Sequence, residues 1–163
     1  MVTVPFHPRE DFMRRAITEA LVHLEQIDGG PFGACLVRGE EVLAVSHNTV
    51  LKDNDPTCHA EINAIRLAAR RLNSYDLAGC DLYTTTEPCP MCFAAIHWAR
   101  LDRIIYGTAV RDVAQLGFNE LLLENRQMKT LGRCPVVIYP NFLLDECRRL
   151  LKRWEQIPGR KIY

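Results

Sequence analysis

Pro88-Cys89-Pro90-Met91-Cys92, taken with His59-Ala60-Glu61 earlier in the chain, is the stretch from which both fold and chemistry are read. One imidazole and two thiolates can hold a zinc ion and leave its fourth tetrahedral position open. Glu61 is not needed as a ligand, and an open zinc beside a free carboxylate is the arrangement that activates water. Cys89 and Cys92 lie three apart at a predicted helix start, which puts both sulfurs on one face. The positive end of that helix favours their thiolate forms. His59 falls in the first turn of another predicted helix, with Glu61 turned roughly 200° around its axis. A distorted or capped first turn is therefore required for both to reach one pocket. Taken alone, C-x-x-C also fits a redox pair or half of a structural zinc site. The Trp-Cys-Gly-Pro-Cys context of a redox pair is absent. The obvious fourth structural ligand, Cys58, is adjacent to His59, and neighbours on a helix do not face one another.

Working outward, Phe12, Ala16, Ile17, Ala20, Leu21 and Leu24 recur at helical spacing and predict a helix from Pro8 to Gln26, stopped by Asp28-Gly29-Gly30-Pro31. Two apolar runs, Phe32 to Val37 and Glu41 to Val45, predict a hairpin around Arg38-Gly39-Glu40. Thr57 is the expected N-cap of a helix from Cys58 to Leu72. Further strands are expected at Asp81–Thr86, Arg103–Gly107 and Pro135–Tyr139. Helices are expected at Pro90–Ala99, with proline at its first position, at Glu120–Asn125, and at Leu143–Ile157. Strands that alternate with helices after the third strand imply a parallel or mixed sheet covered by helices. No repeat or long linker divides the 163 residues, so one domain spanning residues 1–163 is expected.

Lys+Arg and Asp+Glu each number 20, a balance that withholds the basic footprint of phosphate binding, so no nucleic-acid partner is expected. Neither a secretory signal nor an apolar run of membrane-spanning length is visible, and a cytoplasmic protein is the expectation. The seven cysteines are an odd count without an export signal, which points to reduced thiols. Cys35, Cys80 and Cys147 read as small buried hydrophobes.

The H-x-E and P-C-x-x-C blocks together resemble the cytidine/deoxycytidylate deaminase superfamily, whose zinc enzymes carry this signature. Gly29-Gly30-Pro31-Phe32-Gly33-Ala34, His47-Asn48, Asn54-Asp55-Pro56-Thr57 and Ala95-Ile96-His97-Trp98-Ala99-Arg100 extend the likeness, most of all to bacterial guanine deaminases. The resemblance implies a three-layer α/β/α fold with a five-stranded mixed sheet, a homodimer, and one zinc ion per subunit. It makes His59, Cys89 and Cys92 the metal ligands and Glu61 the catalytic proton shuttle. It also implies that Asn48, Phe32, Ala60, Trp98, Glu120 and Tyr163 contact the base, with Phe32 and Trp98 as walls and Tyr163 over the site. By residue type alone, Phe32 and Trp98 are equally readable as core, Asn48 as a strand terminator, and Glu120 as a solvated residue.

The chain departs from the guanine deaminase pattern at Cys58, Thr85-Thr86 and Asn119-Glu120. Its segment from Val136 to Trp154 is more like the endings of tRNA adenosine or fungal cytosine deaminases. The expected reaction is hydrolytic deamination of a free purine base, guanine to xanthine and ammonia. The alternatives are adenosine-to-inosine deamination of a transfer RNA, or deamination of guanosine, cytosine, isocytosine or a triazine. A non-catalytic zinc module has no use for Glu61.

Overall fold

A computed structural model describes residues 5–163. Helix α1 (Glu10–His23) runs on into a 3-10 turn, Leu24–Gln26. Strands β1 (Gly33–Arg38) and β2 (Glu41–His47) form the expected hairpin, with Gly39 at φ 56° supplying its turn. A short helix α2 (Val50–Asp53) leads to α3 (Ala60–Leu72), then β3 (Cys80–Thr86) and α4 (Pro90–Trp98). Strand β4 (Arg103–Thr108), helices α5 (Val110–Ala114) and α6 (Asn125–Gly132), strand β5 (Val137–Tyr139) and helix α7 (Leu144–Glu155) complete the order.

The strands lie in the order β2-β1-β3-β4-β5. The first three pair antiparallel, and β3-β4-β5 pair parallel, so the sheet is mixed and five-stranded as expected. The two-residue period of the strands sorts the core into two layers. Ala34, Leu36, Leu82, Ile104 and Tyr106 face Ala60, Ala64, Ala68, Phe93 and Ile96 of α3 and α4. Cys35, Val37, Tyr83 and Ile105 face Phe12, Met13, Ala16 and Ile17 of α1, and Cys147 of α7. That is the three-layer α/β/α sandwich. All seven residues of β3 are buried, as a central strand covered on both faces must be. Cys35, Cys80 and Cys147 are buried, and all seven cysteines are free.

Two local expectations fail. Thr57 caps no helix: its N–H and hydroxyl both donate to Asp55 Oδ1 at 2.7 Å, and the N-cap of α3 is His59, two residues further on. Residues 120–124 are not helical, because the helix start is set by a tertiary contact instead. The buried Glu87 carboxylate accepts the Asn125 N–H at 2.8 Å, and Asn125 Nδ2 donates to the Pro88 carbonyl at 2.5 Å. These bonds fix Asn125 as the first residue of α6 and leave Leu121, Leu122 and Leu123 in irregular chain. Among the described residues no helix is long and apolar enough to cross a membrane.

Candidate metal centre and active site

Helices α3 and α4 begin side by side, and each opens on a site residue held in extended backbone. His59 is the N-cap of α3 (φ −67°, ψ 155°), and Cys89 is the N-cap of α4 (φ −64°, ψ 167°). Glu61 and Cys92 lie inside the first turns of the same helices. The roughly 200° separation expected of His59 and Glu61 on a continuous helix is removed because His59 stands outside the helix. Both side chains then reach one cleft.

His59 Nδ1 lies 3.6 Å from Cys89 Sγ and 3.6 Å from Cys92 Sγ. Zn–S and Zn–N bond lengths in a tetrahedron demand an N···S edge of about 3.5 Å. The donor set and its spacing therefore fit zinc. The pair of sulfurs is already polarised. A hydrogen bond from Cys92 outweighs burial and, with His59 close by, pushes the Cys89 thiol down to about 4. Cys92, holding the shared proton, is driven well above the ordinary thiol range. Burial works to lower His59, but its hydrogen bond to Cys89 and the nearby Glu61 carboxylate raise it on balance.

Glu61 is buried, with Thr84 Oγ1 donating to its Oε1 at 3.4 Å. Burial lifts its carboxyl above the ordinary range, partly opposed by His59. It lines a small inner cleft with Phe32, Asn48, His59, Cys89 and Glu120. The cleft adjoins an outer cavity of about 270 Å³ walled by Phe32, Phe118 and Tyr163, with Asn48 and Glu120 among its polar groups. Phe118 meets Phe32 and Tyr163 edge to face, at 5.3 and 5.5 Å between centroids. Glu120 also rises above the ordinary carboxyl range through burial, with the Cys89 charge adding to it.

The β1/β2 pairing extends into the site through Asn48 N–H, which donates to the Phe32 carbonyl at 3.0 Å. Asn48 Oδ1 accepts from Val50 N–H at 3.1 Å and from the Tyr163 hydroxyl at 2.7 Å. The Tyr163 oxygen in turn accepts Gly30 N–H at 2.8 Å. These bonds orient the amide and leave Asn48 Nδ2 buried without a protein partner among the described residues. Gly29 packs beneath this amide: a Cβ there would lie 2.1 Å from Asn48 Oδ1, so only glycine fits.

Of the expected site residues, His59, Glu61, Cys89, Asn48, Phe32, Glu120 and Tyr163 line the cleft or cavity, and Cys92 sits behind with its sulfur near His59. Ala60 is wholly buried at the start of α3, where its carbonyl accepts the Ser46 hydroxyl at 2.7 Å, and it lines neither space. Trp98 does not wall the cavity in this chain. It is 75% exposed, because six residues after Cys92 on a helix is a turn of roughly 240°, away from the metal ligands. Sequence reasoning missed Phe118, the middle of the aromatic cluster. The signal was its place two residues before Glu120. It also missed Glu87, whose two oxygens accept Val110 and Asn125 N–H groups and so fix the turn carrying Cys89.

A ligand set of this kind, at the starts of two helices beside a central sheet, defines a zinc-dependent aminohydrolase. The chain belongs to the cytidine and deoxycytidylate deaminase family, whose zinc-binding region matches residues 7–108. It is 37% identical to the guanine deaminase of Bacillus subtilis (strain 168), over 94% of this chain and 98% of that protein. It is 30% identical to a tRNA-specific adenosine deaminase of Buchnera aphidicola subsp. Schizaphis graminum, over 90% of this chain and 93% of that one. The solved guanine deaminase of Nitrosomonas europaea superposes with a TM-score of 0.81 at 27% identity, covering 93% of this chain and 86% of that chain.

Proposed function

We propose that this deaminase acts on a free oxopurine, converting guanine and water to xanthine and ammonia. The observation that carries this reading is the Tyr163–Asn48 bridge. It closes an aromatic slot over the cleft and leaves one buried amide donor, Asn48 Nδ2, without a partner among the described residues. A buried donor without a partner costs about 1–3 kcal/mol, which a substrate carbonyl such as guanine O6 recovers. Glu120 supplies the complementary acceptor for a ring N–H. A free base has such an N–H where a nucleoside carries its sugar.

His59, Cys89 and Cys92 would hold one zinc ion, which when bound supplies the Lewis acidity that makes water nucleophilic at neutral pH. Glu61 takes the proton of the attacking water and passes protons to the adjacent ring nitrogen and to the departing amino group. The C2–N bond breaks, ammonia leaves, and the oxygen of water remains on C2. Burial, which raises the Glu61 carboxyl, suits it to both accepting and returning a proton. Phe32, Phe118 and Tyr163 hold the flat ring and exclude solvent.

The tRNA-deaminase relative supports a second reading, adenosine-to-inosine deamination on a polynucleotide. Equal numbers of acidic and basic residues argue against it, and Tyr163 stands where an extruded nucleotide would have to pass. Ammonia release by the zinc-loaded protein, offered guanine, guanosine, adenine, cytosine, isocytosine, ammeline and transfer RNA in parallel, decides the matter. Guanine is expected to be turned over at least ten times faster than any other. Faster release from transfer RNA sinks the free-base assignment and keeps the enzyme class.

The homodimer expectation also finds a surface. Trp98 on α4 and Leu131 on α6 are 75% and 81% exposed, on helices that pack together. We infer that a second copy of the chain covers them, which would take both side chains out of water. Sedimentation should give a dimer for the native chain and a monomer for Trp98→Asp; a native monomer overturns the inference.

A further inference from the structure

One residue before Asn48, β2 ends on His47, whose side chain belongs to a cluster that deamination does not use. Glu19 and His23, one turn apart on α1, come together with it, and the potential ligand atoms of the three all lie within 4.8 Å of one another. We propose that Glu19, His23 and His47 form a second divalent-metal site, for zinc or an ion of similar ligand preference.

The orientation of His47 is the first argument. Its Nε2 lies 3.0 Å from Asp28 Oδ2, and its Nδ1 lies 2.9 Å from Glu19 Oε1. With the Nε2 proton directed to Asp28, an imidazole lone pair faces a carboxylate oxygen at hydrogen-bond distance. Two such lone pairs require a cation between them, either a proton or a metal ion. A histidine that donates its far N–H to a carboxylate while offering the near nitrogen is the usual support of a metal ligand.

The second argument is convergence. His23 Nδ1 is 3.5 Å from the same Glu19 oxygen. Both Nδ1 atoms therefore lie beside one carboxylate oxygen. Zn–N and Zn–O bonds near 2.1 Å imply ligand atoms about 3.4 Å apart in a tetrahedron, which 2.9 and 3.5 Å bracket. His23 Nδ1 donates to the Glu19 carbonyl at 2.8 Å and its ring stacks on His47 at 3.6 Å, so ligation requires this partly exposed ring to turn out of the stack and present its lone pair.

Charge and access agree. Glu19 and Asp28 bring two negative charges, and Lys52, 3.2 Å from Asp28, offsets one. His47 and Glu19 open onto a cavity of about 370 Å³, which leaves room for water to complete the coordination. Two imidazoles and one carboxylate form a set that binds zinc elsewhere. An ion here would tie α1 to the end of β2, next to Asn48, through residues separate from His59, Cys89 and Cys92.

The test is metal content of the full chain, equilibrated with excess zinc alone and then desalted. Two zinc ions per chain are expected for the native protein and one for Glu19→Gln and for His23→Asn, both at half-buried positions of α1. In the cobalt-loaded protein, the near-ultraviolet thiolate bands of the Cys89/Cys92 centre should persist in both variants while the second equivalent is lost. One zinc per chain in the native protein overturns the proposal: the cation between His47 and Glu19 is then a proton. A second zinc retained by both variants overturns it equally, since that ion is bound elsewhere. Should His23→Asn fail to fold by circular dichroism, Glu19→Gln alone decides.

Discussion

Glu61→Gln is expected to keep fold and zinc and to lower turnover by a factor of about 10²–10⁴, the usual contribution of a positioned general acid/base. The amide occupies the same volume but can neither take the proton of water nor return it to the leaving amine. The same substitution should stabilise the metal-free protein at neutral pH. The buried carboxyl has its folded pKa raised above the unfolded value of 4.5, with burial the main cause. Above both values the folded state carries a buried, desolvated charge; below both, the group is protonated in either state and the cost vanishes. The stability difference between metal-free Glu61→Gln and native protein should therefore be larger at pH 7 than at pH 4.5 and close as the pH falls. Thermal melts of chelated protein at pH 4.5 and 7 read it directly. Normal turnover by the variant, or a difference that widens in acid, would contradict the role assigned to Glu61.

Removing zinc with a strong chelator is expected to abolish ammonia release, with full recovery on adding zinc back. At free zinc about a hundredfold above its dissociation constant, binding to the folded state alone contributes about 2.7 kcal/mol. For a chain of this size that corresponds to a melting temperature higher by roughly 5–10 °C. Cys92→Ala should match the chelated protein in both respects, and zinc should not rescue it. Activity that survives chelation would remove the metal from the reaction.

The sequence made β1, β3 and β4 legible because each carries a short apolar or β-branched run, Ala34 to Val37, Leu82 to Thr86 and Ile104 to Tyr106, between turn or polar residues. It made His59, Glu61, Cys89 and Cys92 legible because their chemistry depends on short spacings within helix starts. Most of what it concealed was set at long range. The start of α6 depends on the Glu87 carboxylate, 38 positions away, and not on the local preference of Leu121 to Leu123. One miss was local: the Asp55 carboxylate holds Thr57 in a turn, which moves the cap of α3 to His59. Phe118 joins Phe32 and Trp154 only after α7 has packed beside α1. Trp98, quoted within a matching block, lies outside the cavity of its own chain, because its place on α4 turns it to the surface.

The metal ligands differ in what holds them still. His59 and Cys89 precede their helices, so a change in one backbone torsion re-aims either without moving the packed layer behind. Glu61 and Cys92 are locked into helical turns and move only if α3 or α4 moves. The centre thus has two adjustable members and two immovable ones. Change at Thr57 or Glu87, whose bonds set the approach to His59 and Cys89, re-aims the adjustable pair. Change in the first turns of α3 and α4 must move the helices themselves, and there the tolerance of the enzyme should be narrowest.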